Sequence, residues 1–398
     1  MTILCIATYF KGDPFLREAR RQGATVVLLT VDSLAGADWP RDSIDEIHTV
    51  ARDAGDAAVK RRVDDIARRH RIDRIAALDD FDVEMAAMLR EHLQLGGIGR
   101  TTASRFRDKL AMRVAARRAG IPVPEFTATF NDAAVNEWTA RVPPPWVLKP
   151  RSSAAAIGIK KLHTHDDLWR ALHDAGDNRS NTVLEQFVTG DVYHVDSIVW
   201  NGEVVFAVAF KYGRPPMEIA HDGGLFITRR LADTSADGAA LLTLNRTLQA
   251  MLGMQRGVSH SEFIAAGGAG RAGGAGFVFL ETSARVGGAF IVDTIAAATG
   301  VNLWHEWAKI EVGGDAYTVP PRRDDYSAIV LTLARQETPD MSAYTDPEIV
   351  TTIRKEHHAG VIVASPDARR VDAIVADYTT RFYRDFFATA PPPERPVE

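Results

Sequence analysis

The sequence predicts an α/β chain in which a parallel-sheet domain at the N-terminus precedes a larger α+β region. Three observations carry this. In the first 98 residues, short apolar runs rich in β-branched residues alternate with helical stripes, the pattern of strands joined by crossover helices. Further on, strands follow one another in hairpin order, and Asn201-Gly202 between VYHVDSIVW and EVVFAVAF is the strongest short-range turn signal in the chain. The 398 residues, 46% hydrophobic and 25% charged, have the balance of a folded globular protein and allow two to three domains.

Taken in order, TILCIATY (2–9) and ATVVLLT (24–30) are buried strands, separated by a helix around Phe15 and Ala19 that Gly23 stops. VKRRVDDIARRHRI (59–72) sets Val59, Val63, Ile66 and Ala67 on one helical stripe. RIAAL (74–78) is a strand, and the next helix presents Phe81, Met85, Met88 and Leu89 on one face. No GxGxxG follows the first strand, so the dinucleotide fingerprint is missing. LGGIG (95–99) breaks the pattern, and one basic helix is predicted from Thr101 to Ala119. Strands are predicted at WVLKP, TVLEQFV (182–188), 192–200, 203–210, VSHSEFI (258–264), FVFLETS (277–283), AIVLTLA (328–334) and GVIVAS (360–365). Helices are predicted at 241–253, at 291–314 with a break near Gly300, and over DARRVDAIVADYTTRFYRDFF.

Composition excludes several function classes. Lys plus Arg number 47 against 52 Asp plus Glu, a net charge of −5, so no positive excess drives nucleic-acid or anionic-membrane binding. The single cysteine, Cys5, rules out an intrachain disulfide and a multi-thiolate metal site, and reads as a small buried hydrophobe. The first residues lack the features of a signal peptide and no run approaches 18 apolar residues, so a cytoplasmic location is expected. AAGGAGRAGGAG (265–276) lacks the Lys-Ser/Thr and following helix of a P-loop and reads as a long turn with Arg271 solvated at its tip. The basic residues at 60–62 and 68–71 flank Asp64 and Asp65, a solvated helix face. His163 and His165 could imitate a metal pair but read as a loop after a strand, and His357-His358 carry no clear ligand partner.

The chemistry concentrates in FVFLETSARVGG. Strand alternation puts Phe279, Glu281, Ser283 and Arg285 on one side, beside a Gly-Gly that admits a ligand. In the preceding strand His260, Glu262 and Ile264 share a face, and antiparallel pairing brings Glu262 close to Glu281. Two such carboxylates repel unless a cation lies between them, and Mg²⁺ takes a few carboxylate oxygens completed by phosphates and water. On spacing alone, two unrelated strand-end carboxylates explain the pattern equally well. Lys149 at a strand end and Lys109 at a helix start supply positive charge, and PRSSAAAIGI is a small-residue loop able to close around phosphates. Glu185 to Val188 could provide an apolar slot with backbone donors and acceptors for an adenine edge, while taken alone the segment is simply a strand with one polar residue. His194 and Asp196 share a strand face, where a half-exposed polar strand is the preferred reading for His194.

In this order, RDKLAMRVAARRAGIPVPEF (107–126), PWVLKPRSSAAAIGI (145–159), VLEQFVTGDVYHVDSIV (183–199), HSEFI (260–264) and FLETSARVGG (279–288) resemble the ATP-grasp superfamily. The likeness is to carboxylate–amine ligases of the L-amino-acid ligase type and to biotin-carboxylase-like proteins. It implies a Rossmann-like pre-ATP-grasp domain at 1–98 and a two-lobed α+β ATP-grasp fold at 99–312 (lobes about 99–190 and 191–312). A C-terminal segment at 313–390 and a disordered tail at 391–398 complete the expected division. It also implies roles: Lys109, Lys149 and Ser153 toward ATP phosphates, and Glu185, Gln186, Phe187 and Val188 toward adenine. Asp191 falls to the ribose; Glu262, Glu281 and Ser283 to Mg²⁺ or Mn²⁺; Arg285, with Lys149, to catalysis. Ser283 stands where the family pattern has asparagine, which weakens a second metal site. Gly288-Ala289 replaces a Val-Glu pair of the biotin carboxylases, and RVGG suits the ligase type.

The reaction so implied is ATP-dependent amide or peptide bond formation through an acyl phosphate, releasing ADP and phosphate. The partners implied are a small carboxylate and an amine, with no nucleic acid or membrane; a homodimer is common in this resemblance. Rival readings are a biotin-carboxylase-like enzyme, a phosphotransferase on the same fold, and a non-catalytic ATP-binding protein. Specificity is expected in 210–226, with Arg214 and His221, and around Ala289.

Overall fold

The computed structural model describes residues 1–153, 157–266 and 276–389. The tip of the glycine-rich segment, Arg271 included, part of the small-residue loop and the tail at 391–398 lie outside the described residues. The chain opens with β1 (Thr2–Ala7), α1 (Asp13–Arg21), β2 (Thr25–Val31), β3 (Glu46–Val50), α2 (Asp56–Ala67), β4 (Ile72–Ala77) and α3 (Val83–His92). The strands are parallel in the order β3-β2-β1-β4. Buried aliphatic residues face helices on both sides: Leu4 and Ile6 toward one core, Ile3 and Cys5 toward another.

Next come α4 (Arg100–Ser104), α5 (Lys109–Arg118), β5 (Phe126–Ala128), α6 (Asp132–Arg141), β6 (Trp146–Pro150), β7 (Lys160–Leu162), α7 (His165–Ala175) and β8 (Thr182–Gln186). Here an antiparallel sheet in the order β5-β8-β6-β7 packs around fully buried Trp146. The single helix predicted from Thr101 to Ala119 is in fact two. Asp108 leaves helical geometry and caps α5, its carboxylate accepting from the Leu110 and Ala111 amides. An N-cap acid satisfies donors that an uninterrupted helix would not leave free, and it sets Lys109 on the first turn of α5.

The third sheet is the largest. It uses β9 (Val192–Trp200), β10 (Glu203–Tyr212), β11 (Phe226–Arg230), β12 (Arg256–Ala265), β13 (Phe277–Ser283), β14 (Tyr326–Leu333), β15 (Ile349–Lys355) and β16 (His358–Ser365). All are antiparallel, in the order β13-β12-β9-β10-β11-β14-β16-β15. Asn201 and Gly202 both have positive φ, 51° and 79°, the primed-turn geometry for which the dipeptide is suited. The helices are α8 (Pro216–Asp222), α9 (Ala236–Leu252), α10 (Ile291–Thr299), α11 (Leu303–Gly313) and α12 (Ala368–Asp385). The segment 210–226 holds α8 between β10 and β11. α11 joins the N-terminal unit to this sheet, with Phe15 of α1 packed edge-on against Trp307 at 5.0 Å.

Helix α12 and the residue that ends it cover β14 and β16 with an aromatic group, Tyr378, Phe382 and Phe386, gathered around Tyr344. Phe382 is fully buried. Phe382→Ala is expected to lower stability by about 3–5 kcal/mol, measured by urea unfolding; a cost below about 1 kcal/mol would contradict this packing.

Candidate active site

One face of the large sheet gathers the polar residues. Across β12 and β13, Glu262 lies directly opposite Glu281, and His260 opposite Ser283. A β-bulge shifts the register between Glu262 and Phe263, so that Phe263 pairs with Phe279. The bulge corrects one expectation from simple alternation: Phe279 does not share the face of Glu281. Phe279 is fully buried in the core with Phe263, while Glu281 and Ser283 turn to the opposite face with Glu262.

Each of the two opposed carboxylates has a counter-charge or donor on one oxygen. Lys109 Nζ lies 3.0 Å from Glu281 Oε2, and Tyr212 Oη donates to Glu262 Oε1 at 2.8 Å. Burial alone would raise the pKa of Glu281, but Lys109, Lys149 and Arg113 outweigh it and hold the group near about 2. The second oxygen of each has no protein partner among the described residues. A pair of hard oxygen donors across one strand pair, with a hydroxyl at Ser283 on the same face, fits a divalent cation such as Mg²⁺.

The cations converge from two other elements. Lys109 and Arg113 are one turn apart on α5 and lie on one face. Glu185 on β8 is buried between them and β6: Arg113 Nε is 2.8 Å from Oε1, and Lys149 Nζ is 2.8 Å from Oε2. Burial opposes ionisation of Glu185, but Arg113 and Lys149 overcome it and its pKa is lowered. Lys109 Nζ also donates to the Ser153 carbonyl at 2.7 Å, so Ser153 meets the site through its backbone. Asp191, by contrast, is an exposed partner of Lys211 at 2.6 Å.

The segment after β8 is tied down by its own amides. Gln186 N–H donates to Glu125 O, and Phe187 N–H to Pro145 O. The Val188 amide has no hydrogen-bond partner among the described residues. Val188 packs with Val192, Ile264, Val278 and Leu280, an apolar wall beside Glu262 and Glu281. Arg285 follows β13, where its Nη1 donates to Val286 O at 2.6 Å and its Nε is buried without a hydrogen bond.

Beneath Glu262 lies a polar chain. His194 is fully buried, which corrects the expected half-exposed strand position. Its Nδ1 is 2.6 Å from Asp196 Oδ2 and its Nε2 2.8 Å from Thr228 Oγ1, while His260 Nδ1 is 2.9 Å from Asp196 Oδ1. Burial lowers the pKa of His194; in His260 the Asp196 carboxylate overrides burial and raises it to about 9. Gly287 sits against this pair: a β-carbon there would come within 3.0 Å of Asp196 Oδ1 and His260 Nδ1. The ARVGG turn is thus seated directly on the Asp196–His260 pair.

Sequence reasoning missed Arg113 and Tyr212 and gave His260 no role, although the four-residue spacing of Lys109 and Arg113 pointed to the first. It also missed the acids that follow β4. Asp79 pairs with Lys11 at 2.5 Å, Asp80 with Arg107, and Arg107 Nη2 reaches Ser152 O at 2.7 Å. Three acids just beyond the C-terminal end of a parallel strand mark the edge where such sheets bind ligands, a signal the sequence did contain. Burial pushes the Asp82 carboxyl up to about 7, against hydrogen bonds from the Thr8 amide (3.0 Å) and hydroxyl (2.7 Å).

The fold is similar to those of solved ATP-dependent ligase and carboxylase structures. No family model matches the chain. In sequence it is 24% identical over 250 residues to the L-arginine-specific L-amino acid ligase of Bacillus subtilis, covering 61% of this chain and 58% of that ligase. The match therefore spans less than two thirds of the relative. In structure it is similar to the L-amino acid ligase of Bacillus licheniformis, with a TM-score of 0.74 and 15% identity over 98% of this chain and 99% of that one. The biotin carboxylase domain dimer of the Hydrogenobacter thermophilus 2-oxoglutarate carboxylase, bound to MgADP, ADP and bicarbonate, aligns with a TM-score of 0.69 and 14% identity. That alignment covers 98% of this chain and 90% of that one. Among the described residues no helix is long and apolar enough to cross a membrane.

Asp82 yields a pH test. Its folded pKa lies above the ordinary carboxyl value, so its stabilising contribution is complete below about pH 4 and is lost as pH rises through 7. Asp82→Asn mimics the protonated form. From pH 4 to 7 the wild type is expected to lose on the order of 3 kcal/mol relative to this variant in urea unfolding. Parallel pH profiles for the two proteins would contradict a buried, protonated Asp82.

Proposed function

We propose that this protein is an ATP-dependent carboxylate–amine ligase that forms an amide or peptide bond through an acyl phosphate, releasing ADP and phosphate. The observation that carries the reading is the convergence of Glu262 and Glu281, directly opposed, with Lys109, Lys149 and Arg113. The sequence likeness to an amino acid ligase supports it.

In this reading Glu262 and Glu281, with Ser283, hold Mg²⁺, which supplies charge neutralisation for the ATP phosphates. Lys109 and Lys149 bind those phosphates, and the Val188 amide with the apolar wall of Val192, Ile264 and Leu280 receives the adenine edge. Glu185 then acts chiefly by holding Lys149 and Arg113 in place, and Gln186 and Phe187 by fixing the segment. Ser153 positions Lys109 through its carbonyl, and Asp191 lies nearest the ribose end. The substrate carboxylate oxygen attacks the γ-phosphorus and ADP leaves. The amine nitrogen then attacks the acyl carbon, the C–O bond to phosphate breaks, and the amine loses its proton. Arg285, held by the Val286 carbonyl, neutralises charge on the transferring phosphoryl group.

The substrates enter beside the ARVGG turn. Ala289 and Phe290 both have positive φ, 49° and 60°, and Phe290 is exposed. Strained non-glycine backbone at the rim of a site is where a ligand contact is held in place. A soluble, cytoplasmic enzyme that works as a homodimer is the setting proposed for this chemistry.

Incubation with ATP, Mg²⁺, hydroxylamine and a panel of amino acids is expected to yield an amino-acid hydroxamate with ADP and phosphate. Formation of AMP and pyrophosphate would sink the acyl-phosphate route. Glu281→Gln is expected to cut Mg-dependent ATP turnover about 100-fold or more with an unchanged far-UV spectrum. Wild-type turnover in that variant would remove Glu281 from the metal site.

A further inference from the structure

A cavity lies away from this site, and we propose that it binds a small dianionic oxyanion of the phosphate class. It has a volume of about 180 Å³ and opens between edge strand β4, the turn at Gly96–Ile98, the start of β12 and helix α11. Its charged lining is Arg74, Arg90, Arg256 and Glu311. Arg256 and Glu262 are six residues apart on β12, so the cavity is about 20 Å from the opposed carboxylates.

The charges do not balance. Three guanidinium groups face one carboxylate, leaving +2 when Glu311 is ionised. Burial pushes Glu311 up, against the pull of Arg90, Arg256 and Arg74, which favours a still more positive cavity. None of the three comes within 4.0 Å of the Glu311 carboxylate among the described residues; that group accepts instead from Trp307 Nε1 at 3.3 Å. Arg74 Nε is buried with no hydrogen-bond partner. Arg90 donates to the Ile75 and Ile98 carbonyls at 2.7 and 3.3 Å, capping the edge of β4. Arg256 lies 4.7 Å from the Trp200 ring centroid. A dianion would cancel the excess charge and give Arg74 Nε its acceptor, and planar guanidinium forks suit tetrahedral oxyanions. It would also bridge the N-terminal region and the large sheet, since Arg74 lies on β4, Arg90 on α3 and Arg256 on β12.

The test is equilibrium dialysis of labelled inorganic phosphate with the full chain at pH 8 and chloride-matched ionic strength. Saturable binding is expected in the wild type and in Lys149→Gln. Arg74→Gln and Arg256→Gln should each weaken it about ten-fold or more. Glu311→Gln should tighten it several-fold, an effect that a purely structural role for the arginines does not produce. No saturable binding up to about 10 mM phosphate, or binding lost only in Lys149→Gln, would overturn the proposal. Thermal unfolding in chloride checks that each variant folds. If an arginine variant does not, Glu311→Gln decides: tighter binding supports the site, and unchanged or weaker binding overturns it.

Discussion

The register bulge in β13 is the constraint on which the candidate site depends. One extra residue at Leu280 lets Phe279 enter the core while Glu281 turns to the opposite face beside Glu262. Without it, packing Phe279 against Phe263 would bury Glu281 on the apolar side. The same strand therefore anchors the sheet and presents an acid. The buried hydrogen bonds of Ser261 to Thr282 and of Gln249 to Ser261 fix the strand pair from behind.

Around that point, charge is arranged in layers. The opposed acids have Lys109 on one side and Tyr212 with His260 on the other. Lys149 is held by Glu185, which Arg113 holds in turn. Few of these groups depend on a mobile surface contact: Arg113, Glu185, Asp196 and His194 are almost fully buried. Buried charges persist only when paired, and here each pairing draws on a different strand or helix. The arrangement is therefore a product of tertiary structure, and a point charge removed from it unbalances its neighbours.

Much of this could be read from the sequence, for physical reasons that differ by element. Strands buried on both faces, such as β1, β2, β9 and β12, carry continuous apolar or alternating runs and were visible. Those not predicted were β3, β5, β7, β11 and β15. Four of these are sheet edges, and the fifth, FITRR, alternates weakly. An edge strand buries little, so it leaves little hydrophobic pattern. Lys109, Lys149, Glu262 and Glu281 were singled out by their positions at strand and helix ends and by the motif resemblance, since spacing alone left the acids ambiguous. The bulge was not legible: a one-residue slip has no compositional mark. The depth of His194 was also hidden, since it comes from same-face residues of neighbouring strands: Phe210 of β10 stacks on it at 5.1 Å and Thr228 of β11 hydrogen-bonds its Nε2.

The pairing of β11 with β14 has a further consequence, for the birth of the chain. About a hundred residues separate these neighbours, and α9, β12, β13, α10 and α11 are made between them. As synthesis proceeds from the N-terminus, β11 is left as an open strand edge until β14 emerges. Only then can β16 and β15 extend the sheet outward. An open edge is a template for pairing with other chains. During synthesis, then, β12 and β13 with their acids are made before the strands that complete the sheet.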